Sequence, residues 1–381
     1  MSKSPSRPRW NPPSTLPPLY AGWIGDLLDG PLPHEGEATC EDCAMWTRGQ
    51  AADAPTLAFN AETKCCTYIP ALPSFLVGRI LQDDDPALAP GRASVEARLD
   101  ARQGVTPMGI DRPVVHAVLY NIGAGNVFGR SRTLRCPHYR EDLGGACGIW
   151  RHRNGVCSTW FCKYSRGATG QRFWHSLEQL LAIVEREVAR WCLLQLELEP
   201  EALARLLPRG TDRSSADKPP LDGATLDGRV DEAAYRACWG RWLGREREFY
   251  RQCAHLVNPL RWTDVTRIGG ASVEALARVV VHAHHRVGSS TIPERLAVGQ
   301  LQMNPAGRER VLVTTYNPYD PLELPRLLVE VLSYFDGGAT SETLARIRQE
   351  RSINVQPSLV RRLVDFGVLV PPNQDTPRPS P

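Results

Sequence analysis

Lysine is scarce in this chain of 381 residues, and neither sign of charge dominates. It has 45 basic residues, of which 41 are arginine, and 42 acidic residues, so the formal net charge is only +3. A small net charge excludes the overall electrostatic character of a strongly basic nucleic-acid-binding protein. Any basic surface therefore has to be local.

Long apolar runs are also missing. No stretch of 18 apolar residues occurs without a charge, and the first residues lack the apolar segment of a signal peptide. We therefore expect a cytoplasmic protein without a membrane partner. With 42% apolar and 23% charged residues, the composition excludes a wholly disordered or coiled-coil protein.

The cysteines are clustered in the first half of the chain. Of the 11 cysteines, eight lie between positions 40 and 162. In a reducing compartment such a cluster favours metal ligands or redox groups over disulfides. The predicted metal ligands are Cys40, Cys43, Cys65, Cys66, Cys136, Cys147, Cys157 and Cys162. Because thiolates are soft ligands, we expect an iron–sulfur cluster, which we favour, or zinc.

The other three cysteines have a different setting. Cys192, Cys238 and Cys253 lie in helical apolar patterns, where a free cysteine behaves as a small buried hydrophobic residue. Structural zinc, redox exchange at Cys40-Glu-Asp-Cys43 and unliganded thiols remain alternatives for the main cluster.

The cysteine spacing resembles the YkgJ-type cysteine-cluster family, described as zinc- or iron-chelating and related to flagellin lysine N-methylases. The matching motifs are Cys40, Cys43, Cys65 and Cys66 for CxxCxxCC, Cys136-Pro137 for CP, Cys147-Gly148-Ile149-Trp150 for C-x-I-aromatic, and Arg153 to Cys157 for RPxxC. Asn154 replaces the proline, and 21 residues separate Cys43 from Cys65 where the family has two. The resemblance covers about residues 36–170 and implies a bound metal or cluster.

Between Cys66 and Cys136, the segment from Pro113 to Tyr120 contains three valines, which are β-branched, and it predicts a strand. The glycines from Gly123 to Gly129 then predict a turn between strands, because no helical pattern follows them as a phosphate-binding loop would require. The acidic run from Asp83 to Asp85 predicts a helix end and a turn on the surface.

Beyond the cluster, the pattern becomes helical. Apolar residues from Leu177 to Val188 recur at helical spacing, which predicts a long helix beginning near residue 171, and residues 231–256 give a second stripe. The first 35 residues are rich in proline and predict an extended arm that packs through Trp10 or Tyr20.

The last 90 residues predict a small winged-helix-like domain. Two strands are expected at residues 295–303 and 310–316, then three helices and a terminal strand at 368–370. The step from Asp336 into a helix capped by Thr340 also resembles PqqD-type peptide-recognition domains. Arg361 and Arg362 are the residues that would contact DNA if the domain bound it.

Together these features predict an α+β protein. Its expected parts are an arm (1–35), a Cys-rich metal-stabilised domain (36–170), a helical region (171–290), a winged-helix-like domain (291–372) and a disordered tail (373–381). The expected function is metal binding coupled to action on, or docking to, a protein or peptide. The alternative is a metal-stabilised regulator that binds DNA. No general base with a partner can be recognised, so catalytic residues are not assigned.

Overall fold

The computed structural model describes residues 16–36, 43, 45, 59–207 and 229–372. They form helices and small antiparallel sheets, which confirms the predicted α+β class. The chain divides into two compact units, each assembled from separate segments. The first takes its residues from Met1–Pro31, Phe59–Trp160 and Leu177–Arg278, and the second takes them from Leu32–Ala58, Phe161–Ser176 and Val279–Pro381.

Helices dominate the first unit. They are α1 (Pro18–Leu27), α2 (Ser74–Gln82), α3 (Ala89–Ala101), α4 (Val114–Val127), α5 (Gly155–Thr159), α7 (Pro200–Leu206), α8 (Glu232–Trp239) and α9 (Glu246–Val257). Two long helices, α6 (Gly167–Gln195) and α10 (Trp262–Gly288), contribute residues to both units, and α10 is interrupted at Gly270, where φ is 58°.

The strands of the first unit are only two residues long. They are β1 (Leu72–Pro73), β2 (Val105–Thr106), β3 (Gly109–Ile110), β4 (Tyr139–Arg140) and β5 (Ala146–Cys147). The sheet order is β1-β3-β2, and β4 pairs with β5.

The core of the first unit confirms the predicted helical stripes. Leu177, Leu180, Leu181, Val184 and Val188 of α6 are all fully buried. Helices α2 and α9 approach so closely that a Cβ on Gly78 would lie 1.8 Å from the carbonyl oxygen of Tyr250. Only glycine fits at this crossing.

The predicted extended arm contains helix α1, and this part of the prediction was wrong. Pro18 occupies the first helical turn, where its missing N–H is not needed. The expectation that Tyr20 packs inward is confirmed, since it is fully buried. The indole N–H of Trp23 also donates to Leu260 O at 2.8 Å. Trp10 lies outside the described residues.

The predicted strand at residues 113–120 is also wrong, because this segment forms α4, and Gly123 and Gly125 lie inside that helix. Tertiary contacts outweigh the β-branched composition here. The Nε2 of His116 lies 3.1 Å from Thr67 O and 3.2 Å from Leu134 O, which anchors the inner side of α4. The turn predicted for Gly123 to Gly129 forms only at the end of that range, at Gly129, where φ is 72°.

The second unit contains the C-terminal strands and helices. They are β6 (Arg295–Val298), β7 (Gln302–Pro305), β8 (Arg310–Thr314), β9 (Leu322–Pro325), α11 (Arg326–Val331), β10 (Asp336–Ala339), α12 (Thr340–Arg351), α13 (Pro357–Asp365) and β11 (Leu369–Val370). Two three-stranded antiparallel sheets have the orders β10-β6-β11 and β7-β8-β9.

The prediction for this region is confirmed in its three helices and terminal strand and corrected in detail. The first expected strand is two strands, β6 and β7, which belong to different sheets. Asp336 to Gly338 was expected to end a helix but pairs with β6 as β10. Thr340 was expected to cap α12, but its hydroxyl donates to Pro293 O at 2.8 Å. The tail at 373–381 lies outside the described residues.

Candidate metal centre

Cys65 and Cys66 lie on a tight turn, residues 59–67, which is here called the cysteine turn. The N–H groups of Thr63 and Lys64 both bond to Asn60 O, at 3.1 and 2.8 Å. Lys64 adopts the left-handed conformation, with φ of 48°. This compact backbone presents Cys65 and Cys66 with their thiols in hydrogen-bond contact.

The second group lies on a hairpin, residues 136–148, here called the cysteine hairpin. Strands β4 and β5 pair Tyr139 with Cys147. The N–H of Cys136 donates to Cys66 O at 2.8 Å, and the Tyr139 hydroxyl donates to Ala61 O at 3.1 Å. These bonds join the cysteine hairpin to the cysteine turn.

Cys157 is supplied by the short helix α5. The side chain of Asn154 caps this helix by accepting the Cys157 N–H at 3.1 Å, and its amide donates to Ala71 O at 3.1 Å. Asn154 stands where the resembled family has proline. Here it performs a capping role that proline has no side-chain oxygen to perform.

The three segments bring five thiols together. Burial, reinforced by the negative charge of neighbouring thiols, raises the pKa of Cys136 to about 12 and raises the pKa of Cys157 well above its ordinary value. Cys66 has a raised pKa because it shares a hydrogen bond with Cys65 and is buried, and Cys147 has one because it is buried. Conversely, the hydrogen bond from Cys66 lowers the pKa of Cys65.

Backbone N–H groups already point at two of the sulfurs. The N–H of His138 donates to the Cys136 sulfur, and the N–H of Ile149 donates to the Cys147 sulfur. In each case the donor lies two residues after the cysteine. Such hydrogen bonds favour the thiolate form, which is the form that binds metals, and they tune thiolate-bound clusters.

The donor set therefore fits a thiolate-bound metal or cluster. Within the described ranges, however, no three cysteine, histidine or carboxylate side chains already surround one point as metal ligands. A metal or cluster here would be held by thiols from this group of five, and these thiols would have to come closer together to bind it. Because four of them have raised pKa values, binding would also require the release of protons.

Three of the predicted ligands are not among these five thiols. Cys40 lies outside the described residues, while Cys43 and Cys162 belong to the second unit. There, Cys162 is buried and its carbonyl oxygen accepts the side-chain amide of Asn317 at 3.0 Å. The other three cysteines were predicted to be buried in helices. Cys192 and Cys253 are buried, which confirms the prediction for them, and Cys238 is half-buried.

His138 follows Cys136 but packs against helix α3. Its Nδ1 lies 2.7 Å from the hydroxyl oxygen of Ser94, whose proton is donated to Gly91 O at 2.6 Å. Ser94 must therefore accept the N–H of His138, which places the imidazole proton on Nδ1. Burial lowers the pKa of His138 to about 3, so the imidazole is neutral.

Two contacts made by carboxylates were not predicted from the sequence. Asp83 was expected on the surface, but its carboxylate lies 2.7 Å from Nε2 of the buried His152. Glu185, on α6, accepts the Gly155 N–H at 2.5 Å and a short hydrogen bond from the Tyr20 hydroxyl. A glutamate inside an apolar helical stripe is the one signal that could have revealed the second of these contacts.

The arginines considered for DNA binding already have partners in the second unit. Arg361 pairs with Asp365 at 2.9 Å and donates to Thr291 O. The guanidinium of Arg362 lies 5.7 Å from the ring centre of Phe366. Arg361 would have to leave a buried carboxylate to reach a phosphate.

Among the described residues, no helix combines the length and apolar character needed to cross a bilayer. Comparisons of this chain with protein families, curated proteins and solved structures found no match. The resemblance to the YkgJ-type family therefore rests on the cysteine motifs alone.

Proposed function

We propose that this chain is a metal-binding protein whose first unit holds an iron–sulfur cluster or zinc. The candidate ligands are Cys65, Cys66, Cys136, Cys147 and Cys157. The observation that carries the proposal is that the cysteine turn, the cysteine hairpin and α5 bring five free thiols into mutual electrostatic contact, with Cys136 buried and the other four half-buried. A bound zinc would stabilise the loops, and a bound cluster would supply electron transfer.

The chain's own residues prepare this centre. The bond from Cys136 N–H to Cys66 O fixes the cysteine hairpin on the cysteine turn, and the Asn154 cap fixes the start of α5. Backbone N–H groups then stabilise negative charge on two sulfurs. Such prior ordering reduces the entropy that metal binding would otherwise have to overcome.

The test is elemental analysis for iron, zinc and acid-labile sulfide on protein purified without oxygen, with an absorption spectrum. Iron and sulfide with a band near roughly 400 nm indicate a cluster, whereas stoichiometric zinc without colour indicates a structural site. Single serine substitutions at the five cysteines should lower the metal content. Cys192→Ser and Cys238→Ser serve as matched controls. A wild-type chain that takes up neither metal after reconstitution would refute the proposal.

For the second unit, we propose a winged-helix-like domain that docks a protein or peptide. Sheet β10-β6-β11 with helices α12 and α13 supports the first part. Strand β7 supports the second, because it lies at the edge of its sheet in the described chain and is exposed along its whole length. An exposed edge can accept an extended peptide as an additional strand.

Docking can be tested separately from metal binding. Met303 on β7 is 53% exposed and is an apolar anchor for a peptide. Selection from a displayed library of extended heptapeptides should enrich binders to the wild type and lose them with Met303→Glu, while metal content stays unchanged. Equal enrichment with both proteins would refute a docking role for β7.

A further inference from the structure

Cys65 and Cys66 are neighbours in the chain, and the cysteine turn holds their thiols in contact. The N–H of Cys66 donates to Thr63 O at 2.9 Å, and the N–H of Thr67 donates to Cys65 O at 2.9 Å. The second of these bonds joins residues two positions apart, so it closes a γ-turn centred on Cys66. In an extended strand successive side chains point to opposite faces, whereas this curled backbone leaves the two thiols in hydrogen-bond contact.

The cysteine turn is anchored on both sides to other parts of the first unit. The N–H of Asn60 donates to Gly129 O at 2.7 Å, and the Thr63 hydroxyl donates to the same oxygen at 3.0 Å. On the other side, Cys66 O accepts the N–H of Cys136 at 2.8 Å. These bonds do not involve a cysteine sulfur, so they hold the two thiols together whether or not a metal is bound.

A disulfide between these neighbours would be both accessible and easily reversed. Cys65 and Cys66 are half-buried, so a small reagent can reach them. The Cα atoms of adjacent residues lie about 3.8 Å apart across a trans peptide, which is below the range of about 4.4 to 6.8 Å that is usual for disulfides. A bond between the two sulfurs is therefore strained, and strained disulfides are the ones that are readily reduced again. The pair suits a reversible bond better than a structural one.

We propose that Cys65 and Cys66 form a reversible disulfide with each other, and that this bond prevents the first unit from binding metal. The oxidant is a low-molecular-weight disulfide. The thiolate of one cysteine attacks a sulfur of this reagent, which forms a mixed disulfide and releases one small thiol. The neighbouring thiolate then attacks the cysteine sulfur of the mixed disulfide and releases the second small thiol. Two electrons pass from the cysteines to the reagent, and the two cysteine protons end on the released thiols.

The disulfide removes two of the five candidate ligands. The three thiols that remain, those of Cys136, Cys147 and Cys157, are one fewer than the four ligands of a closed zinc site or of a cysteine-bound cluster. The loss of metal binding rests on the proposed metal-binding function, whereas formation of the disulfide does not.

The experiment treats the metal-free full chain with oxidised glutathione, blocks the remaining thiols with N-ethylmaleimide and maps tryptic peptides by mass spectrometry. Trypsin cuts after Lys64 and after Arg79, and the peptide 65–79 contains both cysteines of the pair and no others. We expect this peptide to be lighter by two hydrogen atoms and to carry no blocking group. After treatment with dithiothreitol it should carry two.

Zn²⁺ uptake is measured on the same samples by competition with a chromophoric chelator. The reduced chain should take up Zn²⁺, the oxidised chain should lose this uptake, and dithiothreitol should restore it. The peptide map also shows whether Cys136, Cys147 and Cys157 are still free thiols, so that a loss of uptake can be assigned to the pair. Cys136→Ser is the matched control for the disulfide, because it keeps both thiols of the pair and the backbone N–H that anchors Cys66, and it should show the same lighter peptide.

The outcomes separate this inference from the proposed function. A peptide 65–79 that stays doubly blocked after oxidation, or that is joined to a peptide with another cysteine, would overturn the disulfide. A disulfide that leaves Zn²⁺ uptake unchanged would overturn its effect on metal binding. If the reduced chain takes up no metal but the disulfide forms, the proposed function fails and the disulfide stands.

Discussion

Replacing Glu185 with glutamine should change how the stability of the chain depends on pH. The carboxylate of Glu185 is buried among apolar residues of α6 and accepts hydrogen bonds from the Gly155 N–H and the Tyr20 hydroxyl. Glutamine has nearly the same shape and keeps an acceptor oxygen for both donors. The substitution therefore removes the titration and little else.

The magnitude follows from the pKa of this carboxyl group. Burial raises the pKa of Glu185 to about 7 from an ordinary value of 4.5. Because the folded chain binds this proton more tightly than the unfolded chain, the stabilisation is fully present below the unfolded pKa and is lost as pH rises through about 7. The loss amounts to about 3 kcal/mol, at about 1.4 kcal/mol for each pKa unit.

Urea unfolding at about pH 5 and about pH 8, followed by tryptophan fluorescence, measures this effect. The free energy of unfolding of Glu185→Gln relative to wild type should rise by about 2 to 3 kcal/mol between the two pH values. Tyr20→Phe removes one donor to the carboxylate, so the fall in stability should move to higher pH. A difference between Glu185→Gln and wild type that does not change with pH would refute the reasoning.

Three further changes test the surroundings of the thiols. Gly91→Ala places a Cβ 1.9 Å from the backbone oxygen of Gly148 in the cysteine hairpin, so it should lower the melting temperature and the metal content. A variant with the melting temperature and metal content of the wild type would contradict this packing. Cys157→Ser should lose metal and stability together, whereas Cys192→Ser should keep its metal, and equal metal content in both would refute the ligand assignment. Asp83→Ala removes the carboxylate that the buried His152 contacts and should cost about 1–3 kcal/mol in urea unfolding, and a smaller loss would mean that water replaces the carboxylate.

The helices that were predicted correctly are those with a sustained apolar stripe. In α6 the pattern from Leu177 to Val188 repeats at helical spacing, and its residues are fully buried. Such a stripe is a local property that survives any tertiary arrangement that covers it. Helix α13, which begins at Pro357 and is followed by Gly367 with φ of 73°, was predictable for the same reason, because its start and end signals are local.

The segment that forms α4 shows why local patterns fail elsewhere. Its β-branched residues favour a strand, but the imidazole of His116 anchors the segment to Thr67 O and Leu134 O, which are distant in sequence. No pattern within residues 113–127 reports those contacts. The same limit explains why Asp336 to Gly338 was expected to end a helix, since its strand partner is β6, about 40 residues earlier.

The sequence was enough to propose the cysteines of the candidate site, but not to show which side chains lie around them. The clustering of soft ligands selected eight cysteines as candidates, and five of these lie on three interacting segments of the first unit. The contacts of Lys64 and Glu185 depend on burial and on partners such as Gly144, Gly155 and Tyr20, which lie 30 or more residues away in sequence and which composition and spacing do not encode. A lone lysine before Cys65 looks like any surface lysine until the fold covers it.

The segment from Arg153 to Cys157 couples the proposed centre to the helical core. Along five residues it supplies a buried cation, a helix cap, an N–H donated to the buried Glu185 and a thiol. A movement that closes Cys157 on a metal must therefore also move the N–H that Glu185 accepts. If the first unit binds a metal and Glu185 titrates as predicted, protonation of Glu185 and metal occupancy are linked, because each one biases the position of the same short stretch of backbone. Metal affinity of the wild type should then differ from that of Glu185→Gln more at about pH 8 than at about pH 5, and equal differences at both pH values would show that the core and the centre act independently.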